Sequence, residues 1–328
     1  MARTVFVTGG SGFTGGYLCR ALVSRGVTVK ALVRKSSKIH HLRKLGVLPV
    51  FGDLADLKTD NGALEHVDTI YHVAAAYRQE GISDEQFWKV NVDGTRRLLE
   101  VARQSGVRRF VHCSTVGVQG EIDHPPATES APYKPGDHYQ TSKMEGEKIA
   151  LSFFDKYDMD GVVVRPVGIY GPGDMRFLKL FRFINNGTFR MIGTGDVLYH
   201  LTFVEDLVEG FILAGEKQEA VNNIYTLAGD EYLPLKELVA LIAEVLGKPA
   251  PRKQLPLKPV YVASVVCESI CRPLGIEPPL YRRRLDFFTK DRAFDITKAK
   301  TELNYQPRVS LKDGLARTAR WYKKEGLI

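Results

Sequence analysis

Tyr139 and Lys143 stand four residues apart in Tyr139-Gln140-Thr141-Ser142-Lys143. On a helix that spacing puts both side chains on one face. An ammonium beside a phenol favours the phenolate and draws the tyrosine down from its reference pKa of about 10. Such a tyrosine can give or take a proton near neutral pH. Spacing alone proves little, because Tyr232 and Lys236 share it. That second pair has Pro234 inside it and lies beyond the α/β pattern of the first half, so it reads as structural. Ser114 and Thr115 follow the apolar run Val111-His112-Cys113. Either hydroxyl has the chemistry to bond a substrate oxygen and hold it against Tyr139, although a lone strand-end hydroxyl is as often a turn or cap residue.

A second group of residues suits a phosphorylated cofactor. Gly9, Gly12 and Gly15 are spaced G-x-x-G-x-x-G in Thr8-Gly9-Gly10-Ser11-Gly12-Phe13-Thr14-Gly15. Glycine permits a tight turn, close approach of backbone to a pyrophosphate, and close helix–strand packing. The loop follows an expected strand and opens an expected helix, whose first N–H groups attract phosphate. A nicotinamide dinucleotide is the expected guest, and Lys143 is placed to hold its ribose hydroxyls. An acidic residue after the second strand would bond the 2′-hydroxyl of NAD. Arg34 and Lys35 stand there instead and suit the 2′-phosphate of NADP, with a solvated strand-end charge as the plainer reading of Arg34. Asp53-Leu54 is placed to meet an adenine, unless Asp53 is a helix N-cap. Ala74-Ala75-Ala76 supplies small residues where backbone passes a ligand, or simply packs tightly.

The elements that must position these residues alternate. Strands are expected at Thr4–Val7, Val27–Val33, Val47–Phe51, Thr69–Val73, Phe110–Cys113 and Gly161–Val164. Helices are expected at Gly15–Arg25, Asp84–Ser105 and Gln140–Lys156. Near-continuous apolar strands spaced by helices imply a doubly wound parallel sheet of Rossmann type. After Gly171 helices dominate, at Phe177–Asn185, Val204–Ala214 and Leu235–Leu246. Pro251–Pro259 reads as a link, and Lys298–Lys324 as two helical pieces around Pro307. The expected division is a cofactor-binding domain over 1–170 and a smaller, mostly helical substrate lobe over 171–328, some segments of which return to the sheet.

Composition narrows the class. With 328 residues, 44% of them hydrophobic, the chain can bury a large core. A formal charge of +8 suits nucleic acid, an anionic membrane or a phosphorylated cofactor. No zinc-finger or RNA-binding signature accompanies it, so nucleic acid is not expected, and Arg282-Arg283-Arg284 reads as a solvated helix face. Cys19, Cys113, Cys267 and Cys271 form no Cys-x-x-Cys pair. No metal site or disulfide framework is therefore expected, and a reducing compartment is. There is no leader pattern near the start, and the apolar stretch from Pro259 to Ile270 is too short to span a bilayer. A cytoplasmic location is expected.

Taken together, these motifs resemble the extended short-chain dehydrogenase/reductases over essentially the whole chain. The matching features are the glycine loop, Asp53-Leu54, His72-Val73-Ala74-Ala75, Asn91-Val92-Asp93-Gly94-Thr95, Ser114-Thr115, Tyr139 to Lys143, and Arg165-Pro166-Val167-Gly168-Ile169-Tyr170-Gly171-Pro172-Gly173. The resemblance implies Tyr139 as acid/base, Lys143 as its partner, and Thr115 as the catalytic hydroxyl with Ser114 as fallback. It implies that Asn91 braces the site and that Pro166 and Ile169 lie by the cofactor. Relatives often pair through two long helices, corresponding here to Asp84–Ser105 and Gln140–Lys156, so a homodimer is expected.

The substrate is read from departures. Dehydratases place an acidic group beside the catalytic hydroxyl, whereas Val116-Gly117 follows Thr115 here. Sugar-nucleotide members carry an arginine and an acidic residue before the segment matching Thr202-Phe203-Val204-Glu205-Asp206, and this chain has Tyr199-His200. The segment Tyr261–Leu280, with Pro278-Pro279, resembles the variable region of hydroxysteroid dehydrogenase-like and β-keto reductase members. Its apolar residues either line a pocket or pack a core helix, the simpler expectation. The expected activity is a ketone/alcohol oxidoreduction on an apolar, lipid-like or β-keto small molecule. A sugar 4-epimerase, a β-hydroxy acid oxidative decarboxylase and a cofactor-sensing protein are the competitors.

Overall fold

In the strand β1 (Thr4–Thr8), Val5 and Val7 face one buried layer and Phe6 the opposite one. Alternating side chains that are apolar on both faces require helices above and below the sheet. A computed structural model describes residues 3–54, 57, 62–77, 83–271, 273–274, 276, 278, 280 and 282–328. Pro279 lies outside the described residues.

The main sheet continues with β2 (Thr28–Val33), β3 (Leu48–Phe51), β4 (Thr69–His72), β5 (Arg109–Cys113) and β6 (Asp160–Pro166). The short strands β7 (Gly168–Tyr170), β8 (Met191–Ile192) and β9 (Leu198–Phe203) follow, then β10 (Asn223–Leu227), β11 (Tyr232–Pro234) and β12 (Gln254–Leu255). Among the described residues, the large sheet runs β10-β6-β5-β4-β1-β2-β3, every pair parallel. The order reverses between β1 and β4, which places a ligand crevice beyond their carboxyl ends. A second core holds the C-terminal lobe together, with Phe181, Ile242 and Tyr322 buried between the helices Leu178–Asn185, Leu235–Leu246 and Leu311–Lys324.

A segment of the second half returns to the large sheet, as expected: the strand β10 joins its edge, pairing Tyr225 with Val164. Elsewhere the structure departs from the sequence reading. The expected helix over Asp84–Ser105 is interrupted by a π-helical turn at Lys89–Asp93. The helix Leu257–Cys271 begins inside the expected link, because Pro259 falls in its first turn, where proline is tolerated. That helix is not a core element. Ser264 and Glu268 point inward, while Val262, Val266 and Ile270 are exposed. The inward face is polar because Glu268 accepts hydrogen bonds from both the backbone and the guanidinium of Arg282.

Candidate active site

The glycine loop sits at the carboxyl end of β1. Gly9 adopts φ +75°, and a Cβ there would stand 2.8 Å from the Ala74 nitrogen. A Cβ on Gly15 would stand 2.2 Å from the Gly9 carbonyl oxygen. Only glycine fits either position. Gly12 caps the helix Phe13–Ser24 without a side-chain acceptor, so backbone N–H groups of its first turn face the crevice. Ser11 and Gly12 are exposed, and Phe13 and Thr14 half-buried. Room, N–H donors and a favourable helix dipole are the features that suit a pyrophosphate. Arg34 and Lys35 are exposed at the end of β2, and Asp53 is exposed after β3 with Leu54 buried behind it.

The remaining expected residues lie along the same sheet edge. Ala74 and the exposed Ala75 follow β4, Ser114 and Thr115 follow β5, and Pro166 ends β6. Ile169 is half-buried in β7. Tyr139 and Lys143 share the helix His138–Tyr157, capped by the Asp137 carboxylate, which accepts from the Gln140 N–H. Lys143 is buried, and its Nζ donates to the Cys113 carbonyl at 2.6 Å, tying this helix to the end of β5. Burial pulls the Lys143 ammonium below the usual lysine range, opposed by Cys113 and Glu147.

The two hydroxyls differ. Thr115 Oγ1 accepts from the Gly117 N–H at 3.1 Å, which leaves its own O–H to donate. The Ser114 hydroxyl is buried with no hydrogen-bond partner among the described residues. Gly117 abuts Gln140, where a Cβ would come within 3.2 Å of the side-chain nitrogen, so this turn is packed against the first turn of the Tyr139 helix. Tyr232 and Lys236, by contrast, straddle a strand–helix junction, and Lys236 pairs with Asp196.

Asn91 links three segments. Its Oδ1 accepts from the Ala76 N–H (2.8 Å), and its Nδ2 donates to the Ala76 carbonyl (3.1 Å) and the Ser142 hydroxyl (2.9 Å). The π turn brings it there, a common use of such turns at functional sites. Behind it runs a chain that composition did not reveal. The Ala74 N–H donates to Thr8 Oγ1, Thr8 bonds His72 Nδ1, His72 Nε2 bonds Thr95 Oγ1, and Thr95 donates to the Asn91 carbonyl. That direction assigns the proton of His72 to Nε2 and leaves Nδ1 an acceptor. Burial pulls His72 down to about 3, helped by the charge of Lys143. His112, 5.4 Å from it ring to ring, has neither nitrogen bonded among the described residues, and burial holds it well below the usual histidine range.

Other residues of the site went unread in the sequence. Tyr77 and Phe87 meet the Tyr139 ring edge to face, at centroid distances of 5.3 and 6.0 Å. Arg176 stands 5.6 Å from the Phe13 ring centroid and 5.8 Å from that of Tyr77, held by the Asp174 carboxylate and the Ile169 carbonyl. Its signal was its place just past Gly171-Pro172-Gly173. Glu147, one turn beyond Lys143, makes a buried ion pair with Arg165 beside Pro166. Tyr133 donates to the same carboxylate. The sequence showed only the i,i+4 spacing of Glu147 from Lys143.

Tyr199 and His200 are interior side chains. The Tyr199 hydroxyl donates to the Phe287 carbonyl and accepts from Arg292. His200 Nδ1 accepts from the Phe294 N–H, so Nε2 donates to the Gly229 carbonyl. Both are spent on packing β9 against its neighbours. The exposed Arg282 and Arg283 are paired with Glu268 and Asp137 rather than simply solvated.

Residues 5–228 match the model of the NAD dependent epimerase/dehydratase family. The chain belongs to that family. It is an NAD(P)-dependent oxidoreductase of the extended short-chain dehydrogenase/reductase type. It is 31% identical to a 4-hydroxy-2-methyl-3-oxo-4-farnesyl-3,4-dihydroquinoline-1-oxide ketoreductase of Stigmatella aurantiaca, over 94% of each chain. It is 30% identical to a 2-alkyl-3-oxoalkanoate reductase of Stenotrophomonas maltophilia, over 95% of this chain and 97% of that one. The crystal structure of gox2253 superimposes with a TM-score of 0.85 at 30% identity, over 99% of each chain. No helix among the described residues is long and apolar enough to cross a membrane.

Proposed function

We infer that the protein reduces a ketone to a secondary alcohol, or runs the reverse, on an apolar β-keto or lipid-like small molecule, with NADP as the preferred cofactor. The observation that carries the reading is the aromatic surround of Tyr139. Tyr77 and Phe87 pack against its ring, and a mostly aromatic surround suits a hydrophobic ligand. The interior placement of Tyr199 and His200 supports it further, since neither side chain is available to grip a diphosphate. The two relatives are named for ketone reduction on alkyl- or farnesyl-bearing molecules.

Tyr139 gives its proton to the forming alkoxide in reduction and takes it back in oxidation. Lys143 favours the phenolate and holds the ribose hydroxyls. Thr115 donates to the substrate oxygen and fixes it against Tyr139. Gly9, Ser11, Gly12, Phe13, Thr14 and Gly15 hold the pyrophosphate, Asp53 and Leu54 the adenine end, and Arg34 with Lys35 the 2′-phosphate. Ala74, Ala75, Pro166 and Ile169 line the nicotinamide half, and Asn91 braces it. When bound, the nicotinamide supplies or accepts the hydride. Residues 171–328 form the substrate lobe apart from β10 and the helices Val204–Glu216 and Thr297–Leu303, which pack with the large sheet. A homodimer would form through the two long helical segments Asp84–Ser105 and Gln140–Lys156, and light scattering checks it.

The reading is tested by following NADPH absorbance with 2-alkyl-3-oxoalkanoates, sterol ketones and apolar aldehydes. A parallel chromatographic assay uses UDP-sugars, whose epimerisation is redox-neutral and gives no absorbance change. NADPH consumption with the apolar ketones and no epimer is expected. Epimer formation without net oxidation would overturn the reading.

A further inference from the structure

The helix Leu257–Cys271 is built inside out. Val262, Val266 and Ile270, four residues apart, form one outward stripe at 60%, 51% and 58% exposure. Leu274 and Ile276 just after the helix, and Leu255, Leu257 and Tyr261 at its start, are exposed as well. Scattered surface apolar residues need no explanation, but a contiguous patch does. Charge identifies what covers this one. Between 248 and 284 stand eight lysines and arginines and two glutamates, of which Glu268 is turned inward. Lys248, Arg252, Lys253 and Lys258 are exposed before the stripe and Arg284 after it, while Arg282 and Arg283 are partly neutralised by Glu268 and Asp137.

We propose that this face docks reversibly on an anionic lipid bilayer, with the stripe in the acyl boundary and the flanking cations at the headgroups. An apolar face with a basic border is the signature of an interfacial helix, and each cation near an anionic surface adds to the attraction. Tyr261 sits at the rim, where an amphipathic ring is favoured. The face is close to the candidate active site, because Arg283 donates to the Asp137 carboxylate (2.8 Å), which caps the helix of Tyr139. Docking would turn the substrate side toward a membrane from which an apolar ligand is drawn. The proposal stands on the surface alone and survives if the substrate reading fails.

Co-sedimentation with vesicles tests it, using phosphatidylcholine alone and phosphatidylcholine doped with phosphatidylglycerol. The full chain is expected to pellet with the anionic vesicles and to be released as salt is raised to about 0.5 M, where charges are screened within a few ångströms. Val266→Glu with Ile270→Glu should lower the partition coefficient about tenfold or more, with NADPH binding unchanged. The milder pair Val266→Ser with Ile270→Ser serves if the carboxylates disturb folding. Failure of the wild type to pellet, or equal pelleting of the variants, overturns the proposal. So does a dimer that forms without lipid and is lost in the variants, since a second copy would then cover the face.

Discussion

Asn91 donates its side-chain amide to the hydroxyl of Ser142 at 2.9 Å, joining the π turn to the helix that carries Tyr139 and Lys143. The same side chain pairs with both backbone groups of Ala76. The backbone beside the crevice and the catalytic helix are thus held in one register. Asn91→Leu strands the N–H and the carbonyl of Ala76 and takes one of two partners from the Ser142 hydroxyl, which still donates to the Tyr139 carbonyl. We expect a loss of about 1–3 kcal/mol in urea unfolding. Turnover should fall about 10–100-fold at temperatures where the variant is folded, because small misplacements of reacting groups are expensive. Full turnover in a destabilised variant would restrict Asn91 to stability.

Ser114 and Thr115 are separated by accessibility rather than chemistry. Thr115→Ala should lower turnover about 100-fold, and Thr115→Ser should restore most of it. Ser114→Ala removes a buried hydroxyl that has no partner among the described residues. It should leave turnover within a few-fold and stability equal or higher. If the two alanine variants exchange these effects, the role passes to Ser114.

The proposed preference for NADP rests on Arg34. A charge-assisted bond to the 2′-phosphate is worth about 1.5–3 kcal/mol, so Arg34→Ala should weaken NADP binding about 10–100-fold and leave NAD binding unchanged. Fluorescence titration of the two reduced cofactors measures both. An unchanged ratio of affinities would mean that Arg34 is a solvated strand-end charge.

The interior histidines set the acid limit of stability. His72 titrates at about 3 in the folded protein because burial disfavours its charged form, against about 6.5 in an unfolded chain. The unfolded state therefore binds the extra proton first as pH falls through 6.5, and the folded state loses ground. His72 alone withdraws about 2 kcal/mol by pH 5. His112 is shifted in the same direction by burial. His112→Phe should raise the urea midpoint at pH 5 more than at pH 7.5. Parallel pH profiles for variant and wild type would contradict a neutral His112.

The large sheet was legible because buried parallel strands such as Val162-Val163-Val164 are apolar on both faces, and little else in a sequence is. The glycine loop, Arg34, Ala74 and the Ser114-Thr115 pair were placed at one sheet edge by the same logic, since each follows a strand, whereas Pro166 came from the family resemblance. The π turn left no trace, because one extra residue in a helix has no compositional mark. The strand β10 was missed because Asn223–Leu227 is short and lies among helical segments. The apolar residues of Tyr261–Leu280 pointed to a core helix, but not to the outward turn of the helix Leu257–Cys271, which depends on Glu268 finding Arg282 across the fold. The His72 chain was invisible for a related reason: Thr8 and Thr95 are distant from His72 in sequence, and nothing local distinguishes it from an ordinary core histidine.

The account rests on Tyr139 as the proton donor and acceptor. Tyr139→Phe keeps the ring that Tyr77 and Phe87 pack against and removes only the hydroxyl. The decisive measurement is single-turnover oxidation of bound NADPH by an apolar β-keto substrate, with NADPH affinity titrated on the same sample. We expect the rate to fall about 100- to 10,000-fold with affinity within about twofold. A rate equal to wild type, with cofactor still bound, would contradict the mechanism.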